Sequence, residues 1–397
     1  MSETIISKKT VRDMDFAGKR VLIRADLNVP LADGAVSDDT RLRESLPTIN
    51  YVLEHGGTVI LCSHLGRPKG RDASLSLAPV AGRLGNLLDR EIRFADDCIG
   101  PDAESVVAAA PEGSVVLLEN LRFHPEEEKN DPSFAKRLAS LADVYVNDAF
   151  GAAHRAHAST EGVTHFLPAV AGLLMEKEVL YLGALVANPP RPFAAVVGGA
   201  KVSTKIPAIN HLLPKLDMLL LGGGMANTFL KATGINVQAS LVEAEQVEAA
   251  GRILEAAKER GIAVHLPIDV VAADRFAEDA AVRAVDANDV PPGYMILDIG
   301  PKTVGAYAEA LRKAKAVIWN GPMGVFEMGP FARGSFGIAR VLAALDAATV
   351  AGGGETAAVV AQSGLADQFT HVSTGGGASL EMLEGRVLPG VAALMDR

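Results

Sequence analysis

Ten short runs set the terms for any fold this chain can adopt. RVLIRADL (20–27), TVILCSHL (58–65), SVVLLEN (114–120) and VYVNDAF (144–150) lie in the first half. FAAVVGGA (193–200), DMLLLGGG (217–224), MILDIG (295–300), AVIWNG (316–321), TVAGGG (349–354) and HVSTGG (371–376) lie in the second. Each is apolar along its length rather than alternating, the pattern of a strand covered on both faces. Helical patterns fill the intervals. Ser37-Asp38-Asp39-Thr40 offers short side-chain acceptors for the free N–H groups of a helix start, and Gly56-Gly57 marks that helix's end. Strand and helix in alternation predict an α/β architecture: parallel sheets in three-layer α/β/α sandwiches with Rossmann-like winding.

The rhythm breaks once. LLMEKEVLYLGALVANPPRP (173–192) reads as a single helix stopped by Pro189 and Pro190, between two stretches of similar strand count. Single cores seldom grow past about 250–300 residues. The 397-residue chain is therefore expected as two domains, an N-terminal one over 1–172 and a C-terminal one from 189, joined by a hinge helix at 173–188.

The bulk properties exclude several functions. The formal net charge of −10 gives no general attraction to nucleic acid or to an anionic membrane, so any anion site must be a local basic cluster. Two cysteines, Cys62 and Cys98, are too few for a disulfide framework and suit a reducing cytoplasm. The opening MSETIISKKTVRDMDF lacks a signal peptide's apolar stretch, and no run is long enough to span a bilayer.

Chemistry gathers at the carboxyl ends of the strands, where open parallel sheets bind ligands. In the first half those ends are cationic: His64, Arg67, Lys69 and Arg71 in SHLGRPKG, Arg122 and His124 in ENLRFHPEEE, and His154, Arg155 and His157 in AFGAAHRAHAS. Arg41 stands near the first helix start, and Asp26-Leu27-Asn28 closes the first strand. Arginine grips carboxylates and phosphates through paired hydrogen bonds, so the set predicts a small, strongly anionic substrate. His154 and His157 lack the further ligands a zinc site needs. In the second half the ends are glycine-rich: GGAK (198–201), GGGM (222–225), NGPMG (320–324), GGGE (352–355) and TGGG (374–377). Glycine loops at helix starts expose N–H groups to phosphate. None fits the Walker pattern GxxxxGK[ST]. Lys201 and Lys205, four apart, are expected on one helical face where both reach a polyphosphate. Glu355, the acid that closes GGGE, would hold the Mg²⁺ that accompanies a nucleotide.

These segments together resemble the phosphoglycerate kinase family over essentially the whole chain. RADLNVP, SHLGRPKG, LLENLRFHPEEE, VNDAFGAAHRAHAS, GGAKVSTKI, GGGMANTFLK, WNGPMGVFE, GGGET and STGGGASLEMLEGRVLPGV occur in the family's order. The resemblance implies a cytoplasmic monomer of two Rossmann-like lobes that close about a hinge. It implies the glycolytic reaction 1,3-bisphosphoglycerate + ADP ⇌ 3-phosphoglycerate + ATP with Mg²⁺. It places Asp26, Asn28, Arg41, His64, Arg67, Arg122 and Arg155 at the phosphoglycerate site. It assigns Lys201, Lys205, Gly223, Asn320, Glu327 and the loop Gly353-Gly354-Glu355-Thr356 to the nucleotide, with Glu327 at the ribose. The last stretch, 381–397, would cross back to the first lobe, leaving 189–380 as the nucleotide domain. At Glu355 the family more often has Asp, so the metal carboxylate here sits one methylene further out.

With a carboxylate as nucleophile, no general base is required; the task is alignment and charge neutralisation. Arg41 and Lys201 are expected to flank the moving phosphoryl group, with Gly376 adding an N–H donor. Three other readings fit less well. A solute-binding receptor has no use for five glycine loops and a metal carboxylate. A dinucleotide oxidoreductase would need GxGxxG after the first strand, which RADLNVPLADG does not supply. Another acyl-phosphate kinase would use a different acid.

Overall fold

The computed structural model describes residues 8–397; the first seven residues of the N-terminal stretch read above lie outside the described residues. The chain divides into two compact units, Met1–Gly183 with Val387–Arg397, and Ala184–Arg386.

The first unit carries β1 (Arg20–Arg24), a small hairpin of β2 (Leu31–Ala32) and β3 (Ala35–Val36), then β4 (Thr58–Cys62), β5 (Ile92–Ala95), β6 (Val115–Leu118), β7 (Val144–Asn147) and β8 (Ala169–Ala171). Its main sheet is six-stranded in the order β5-β6-β4-β1-β7-β8, parallel throughout. The chain moves outward from β1 through β4, then crosses to the other side at β7, making β1 and β7 the switch point. Val21, Ile23, Val59, Leu61, Val115, Leu117, Val144 and Val146 form one face of the core against Leu42, Ile49 and Val52 of the helix Thr40–Glu54.

The second unit carries β9 (Phe193–Val197), β10 (Met218–Leu221), β11 (Ala263–His265), β12 (Asp269–Ala273), β13 (Val282–Asp286), β14 (Met295–Ile299), β15 (Ala316–Asn320), β16 (Ala348–Gly352) and β17 (His371–Val372). Six of these form a parallel sheet in the order β11-β10-β9-β15-β16-β17, with the switch between β9 and β15. One expectation is corrected. The run 295–300 does not join this sheet; β14 pairs antiparallel with β12 in a separate three-stranded sheet ordered β13-β12-β14. Its outer member β13 is largely exposed, so VRAVD has no apolar run to announce it. The edge strands β5, β8 and β11 were missed: β5 and β11 are only partly buried, with Arg93 and His265 interrupting any apolar run, and β8 is three residues with no polar end to mark it.

The central helix spans Leu173–Ala187, and the division between the units falls within it. The chain's last residues belong to the first unit. Lys9 N donates to Met395 O (2.8 Å), Lys8 Nζ to Leu394 O (2.7 Å), and Asn147 Nδ2 at the end of β7 to Gly390 O (3.0 Å).

Three buried aspartates cap helices that lie elsewhere in sequence. Asp148 Oδ1 accepts from Leu174 N (2.9 Å) and Met175 N (3.2 Å) at the start of Leu173–Ala187. Asp269 accepts from Lys302 N and Thr303 N at the start of Pro301–Leu311. Asp298 accepts from Gly334 N (2.7 Å) at the start of Arg333–Ala343. Each satisfies N–H groups the helix cannot pair internally. Glycine is required opposite each: a Cβ on Gly172, Gly300 or Gly334 would lie 2.1–2.3 Å from the carboxylate.

Burial pushes the Asp298 carboxyl up from 3.8 to about 8, against the two N–H bonds that favour the anion. The folded chain then holds a proton that the unfolded chain has released, so stability falls as pH rises from about 5 to 8. Asp298→Asn should flatten that fall in thermal midpoint across the same interval. Parallel slopes for the two proteins would show that Asp298 keeps no such proton.

Candidate active site

In the first unit the strand ends build a cationic pocket around His64. Arg24, the last residue of β1, is almost wholly buried and forms the pocket's base. Its Nη2 lies 3.0 Å from His64 Nδ1, its Nη1 donates to Ala25 O (2.6 Å), and its Nε donates to Ser159 Oγ (3.0 Å). Ser159 Oγ in turn donates to Glu127 Oε1 (2.5 Å), and Ser159 N to Glu127 Oε2 (2.9 Å). Glu127 is buried, and burial raises its carboxyl despite Arg24 and Ser159. Because a guanidinium only donates, His64 Nδ1 must accept, which leaves Nε2 as the ring's N–H donor. Burial, then the charges of Arg24, Arg122, Arg41 and Arg155, hold the His64 imidazole well below its ordinary value. The four arginines are therefore gathered about one neutral histidine. His157 is lowered to about 4 by burial and by Arg122, Arg155 and Arg24.

The remaining groups are tied in from the loops. Arg41 Nη1 bonds both oxygens of Asp26 at 2.9 Å. Asn28 Oδ1 accepts from Gly66 N (2.9 Å), locking the loop after β1 to the loop after β4. Arg122 donates to Gly66 O (2.7 Å) and pairs with the half-exposed Glu128. Its buried Nε lies 3.2 Å from Glu128 Oε1 without the alignment of a hydrogen bond. Arg67 stands exposed, outside this bonded set. His124 faces away from it, with Nε2 2.6 Å from Asp97 Oδ1. The residue that reading strand ends overlooked is Arg24, the last residue of β1, which lies inside the run RVLIRADL rather than at its polar end.

In the second unit the five glycine loops separate into two kinds. Three are knitted to one another at the switch point. Gly199 N donates to Pro322 O (2.9 Å), Gly223 N to Met323 O (2.8 Å), and Met225 N to Gly199 O (2.9 Å). A Cβ on Gly198 would meet Pro322 O at 2.2 Å, and one on Gly321 would meet Gly198 O at 2.2 Å. Gly223, at φ +65°, would place its Cβ 2.7 Å from Gly199 and Pro322 backbone atoms. These glycines exist for close backbone approach, and their N–H groups are spent; Gly223 N cannot serve phosphate as the glycine pattern had suggested. The other two loops are open. Gly354 begins the helix Gly354–Ser363 and Gly376 precedes Gly377–Leu383, and a Cβ on either would meet nothing within 4 Å. Helix Gly354–Ser363 has no side-chain cap, so its first N–H groups are available.

The pairing expected of the lysines is corrected as well. Lys201 is extended and exposed, a 3₁₀ turn Val202–Thr204 follows it, and Lys205 begins the next helix. The two do not share a helical face. Lys205 alone turns inward, where Nζ bonds Asn320 Oδ1. Burial lowers its ammonium, countered by Glu355 and Glu384. Asn320 Nδ2 donates to Gly352 O (2.8 Å), and Gly321 N to Thr356 Oγ1 (2.7 Å). Lys205, Asn320, Thr356 and the open Gly353-Gly354 loop are thus one connected group at the ends of β15 and β16. Glu355 is exposed beside it, and Glu327 lies exposed on the turn after β15.

Each unit therefore gathers its polar groups at the strand ends of its own sheet: arginines about His64 in the first, Lys205 and open backbone N–H groups in the second. The family model for phosphoglycerate kinase matches residues 11–386. The chain belongs to the phosphoglycerate kinase family. It is 57% identical over 393 residues to phosphoglycerate kinase of Moorella thermoacetica, covering 99% of this chain and all of that one. It is 58% identical over 390 residues to the cytosolic phosphoglycerate kinase of Triticum aestivum, covering 97% of each. The solved phosphoglycerate kinase of Coxiella burnetii shares 41% identity at a TM-score of 0.89, covering 97% of this chain and 98% of that one. As a phosphoglycerate kinase family member, the chain is an enzyme, a phosphotransferase with a carboxyl acceptor.

The two kinds of glycine differ in a measurable way. Gly198→Ala should lower stability by about 2–3 kcal/mol through overpacking. Gly354→Ala should leave the thermal midpoint near the parent's, since its Cβ meets nothing within 4 Å, and raise KM for ATP several-fold because the added methyl stands where a phosphate would approach the backbone N–H groups. Equal loss of stability in both would erase the distinction.

Proposed function

We propose that the cationic pocket of the first unit binds 3-phosphoglycerate or 1,3-bisphosphoglycerate and that the open glycine loops of the second bind ATP or ADP, in a cytoplasmic enzyme that acts as a monomer. The observation that carries this reading is the gathering of Arg24, Arg41, Arg122 and Arg155 around neutral His64 on a protein of net charge −10. Such a cluster without an anion is self-repulsive, and a phosphate with a carboxylate relieves it. Among the described residues no helix is long and apolar enough to cross a membrane. Relatives are named both cytosolic and chloroplastic, and the two free, buried cysteines suit a reducing compartment.

In the ATP-consuming direction the nucleophile is a carboxylate, with a pKa of roughly 3.5, already ionised at neutral pH. Arg67, Arg122 and Arg155 anchor the distal phosphate, Asp26 and Asn28 orient hydroxyl and carboxylate, and His64 Nε2–H donates to the same ligand. Arg41, now bonded to both oxygens of Asp26, reaches the phosphoryl group in flight. Lys205, Asn320, Thr356 and the Gly353-Gly354 N–H groups hold the nucleotide phosphates, with Glu327 at the ribose, Gly223 lining the seat, Lys201 approaching from the exposed end of β9, and Gly376 adding a donor. The exposed Glu355 carboxylate beside open N–H groups suits a hard, oxygen-seeking Mg²⁺. Bound there, that ion neutralises charge on the phosphate oxygens. Transfer is in line, after closure about the helix Leu173–Ala187 brings the ligands together and excludes water.

A coupled assay with ATP, Mg²⁺ and 3-phosphoglycerate, reporting acyl phosphate through glyceraldehyde-3-phosphate dehydrogenase, tests the reading. Arg41→Ala should lower kcat by about 10²–10³ with little change in KM, the mark of a group acting on developing charge. Arg67→Ala should chiefly raise KM for 3-phosphoglycerate. A parent-like kcat in the first variant would remove Arg41 from the transition state, and absence of turnover without Mg²⁺ should accompany both.

A further inference from the structure

Outside the substrate pocket, the loops leaving β5 and β6 bring three different metal-binding side chains together. Asp97 and Cys98 follow β5; His124 follows the 3₁₀ turn Leu121–Phe123 after β6. The two strands are parallel neighbours, with Ala95 opposite Leu118, so their loops emerge side by side. One ligand atom from each of Asp97, Cys98 and His124 lies within 4.8 Å of the others. His124 Nε2 and Asp97 Oδ1 are 2.6 Å apart, and Cys98 N donates to the same oxygen at 2.7 Å, which orients the carboxylate. The thiol is buried, while imidazole and carboxylate are about 30% exposed, giving an inner soft ligand and an outer, reachable pair. His124 also packs its ring against Phe134, with centroids 5.5 Å apart, which limits its rotation.

We infer that Asp97, Cys98 and His124 form a binding site for a borderline-soft divalent cation of the zinc class, three protein ligands with a fourth position open to water. The donor set decides the class. Thiolate and imidazole select zinc-like ions over Mg²⁺, which takes oxygen. Binding replaces the Cys98 S–H bond with a metal–sulfur bond and releases that proton to solvent. It also breaks the His124–Asp97 hydrogen bond: the ring gives up its Nε2 proton to solvent and takes the Nδ1–H tautomer, freeing the Nε2 lone pair for the ion and opening the pair to tetrahedral spacing. His124 lies two residues from Arg122, so the ion would sit beside the substrate anchor and not within it.

The test is a titration of the full, metal-free chain with Co²⁺ alone, monitored by absorption, followed by competition with Zn²⁺. A thiolate-to-cobalt charge-transfer band, tetrahedral d–d bands at one equivalent, and their loss on adding Zn²⁺ are expected. Cys98→Ser should abolish the charge-transfer band, His124→Asn should weaken affinity at least about tenfold, and Cys62→Ala should retain the band. Absence of a saturable band in the parent, or a band unchanged in Cys98→Ser and His124→Asn, would overturn the proposal. None of these readouts depends on kinase turnover.

Discussion

Burial of the strands on both faces is the constraint from which the rest follows. A strand such as Val21–Ile23 or Val317–Trp319 has no solvent face, so polar groups can appear only where the strand ends. Parallel pairing aligns those ends along one edge, and the reversal of strand order at β1/β7 and at β9/β15 opens a crevice in each edge. The cations of the first unit and the glycine loops of the second occupy those crevices because the sheets leave no other place for them.

Arg24 is the one buried charge among the strands of the first sheet, and the structure surrounds it with acceptors. Glu127 lies beyond Ser159, and His64 closes the other side. The energetic logic is that of a buried ion network: removal of one partner strands the other. The consequence is functional. A fixed guanidinium on Nδ1 settles the histidine's tautomer before any ligand arrives, and burial, then the surrounding arginines, keeps the ring neutral. The second unit reaches comparable rigidity without charge, through glycine backbones in direct contact at the switch.

Much of this was legible in sequence because uniform apolar runs, helix starts and glycine clusters are local signals. Nine of the ten runs became strands of the two parallel sheets, and the tenth, 295–300, became a strand of the antiparallel sheet. The antiparallel sheet was not legible, since its outer strand is exposed and the pairing of β12 with β14 carries a register shift between Val271 and Ala272. The arginines were found by position after a strand. Arg24 was not, because it ends β1 inside the longer run RVLIRADL, whose polar end lies further on. The glycine loops looked alike as letters; only the contacts distinguish Gly198, whose Cβ would strike Pro322, from Gly354, which faces open space. The Lys201–Lys205 spacing suggested a shared helical face, and the 3₁₀ turn between them removed it.

The central claim is a single, direct transfer between two anionic ligands, with charge and alignment replacing any protein nucleophile. It is tested most directly by the stereochemical course at phosphorus, using ATP made chiral at the γ position with isotopic oxygen and sulfur and 3-phosphoglycerate as acceptor. One in-line displacement predicts inversion of configuration in the acyl phosphate formed. Retention would mean two displacements through a phosphorylated side chain, and would contradict the account.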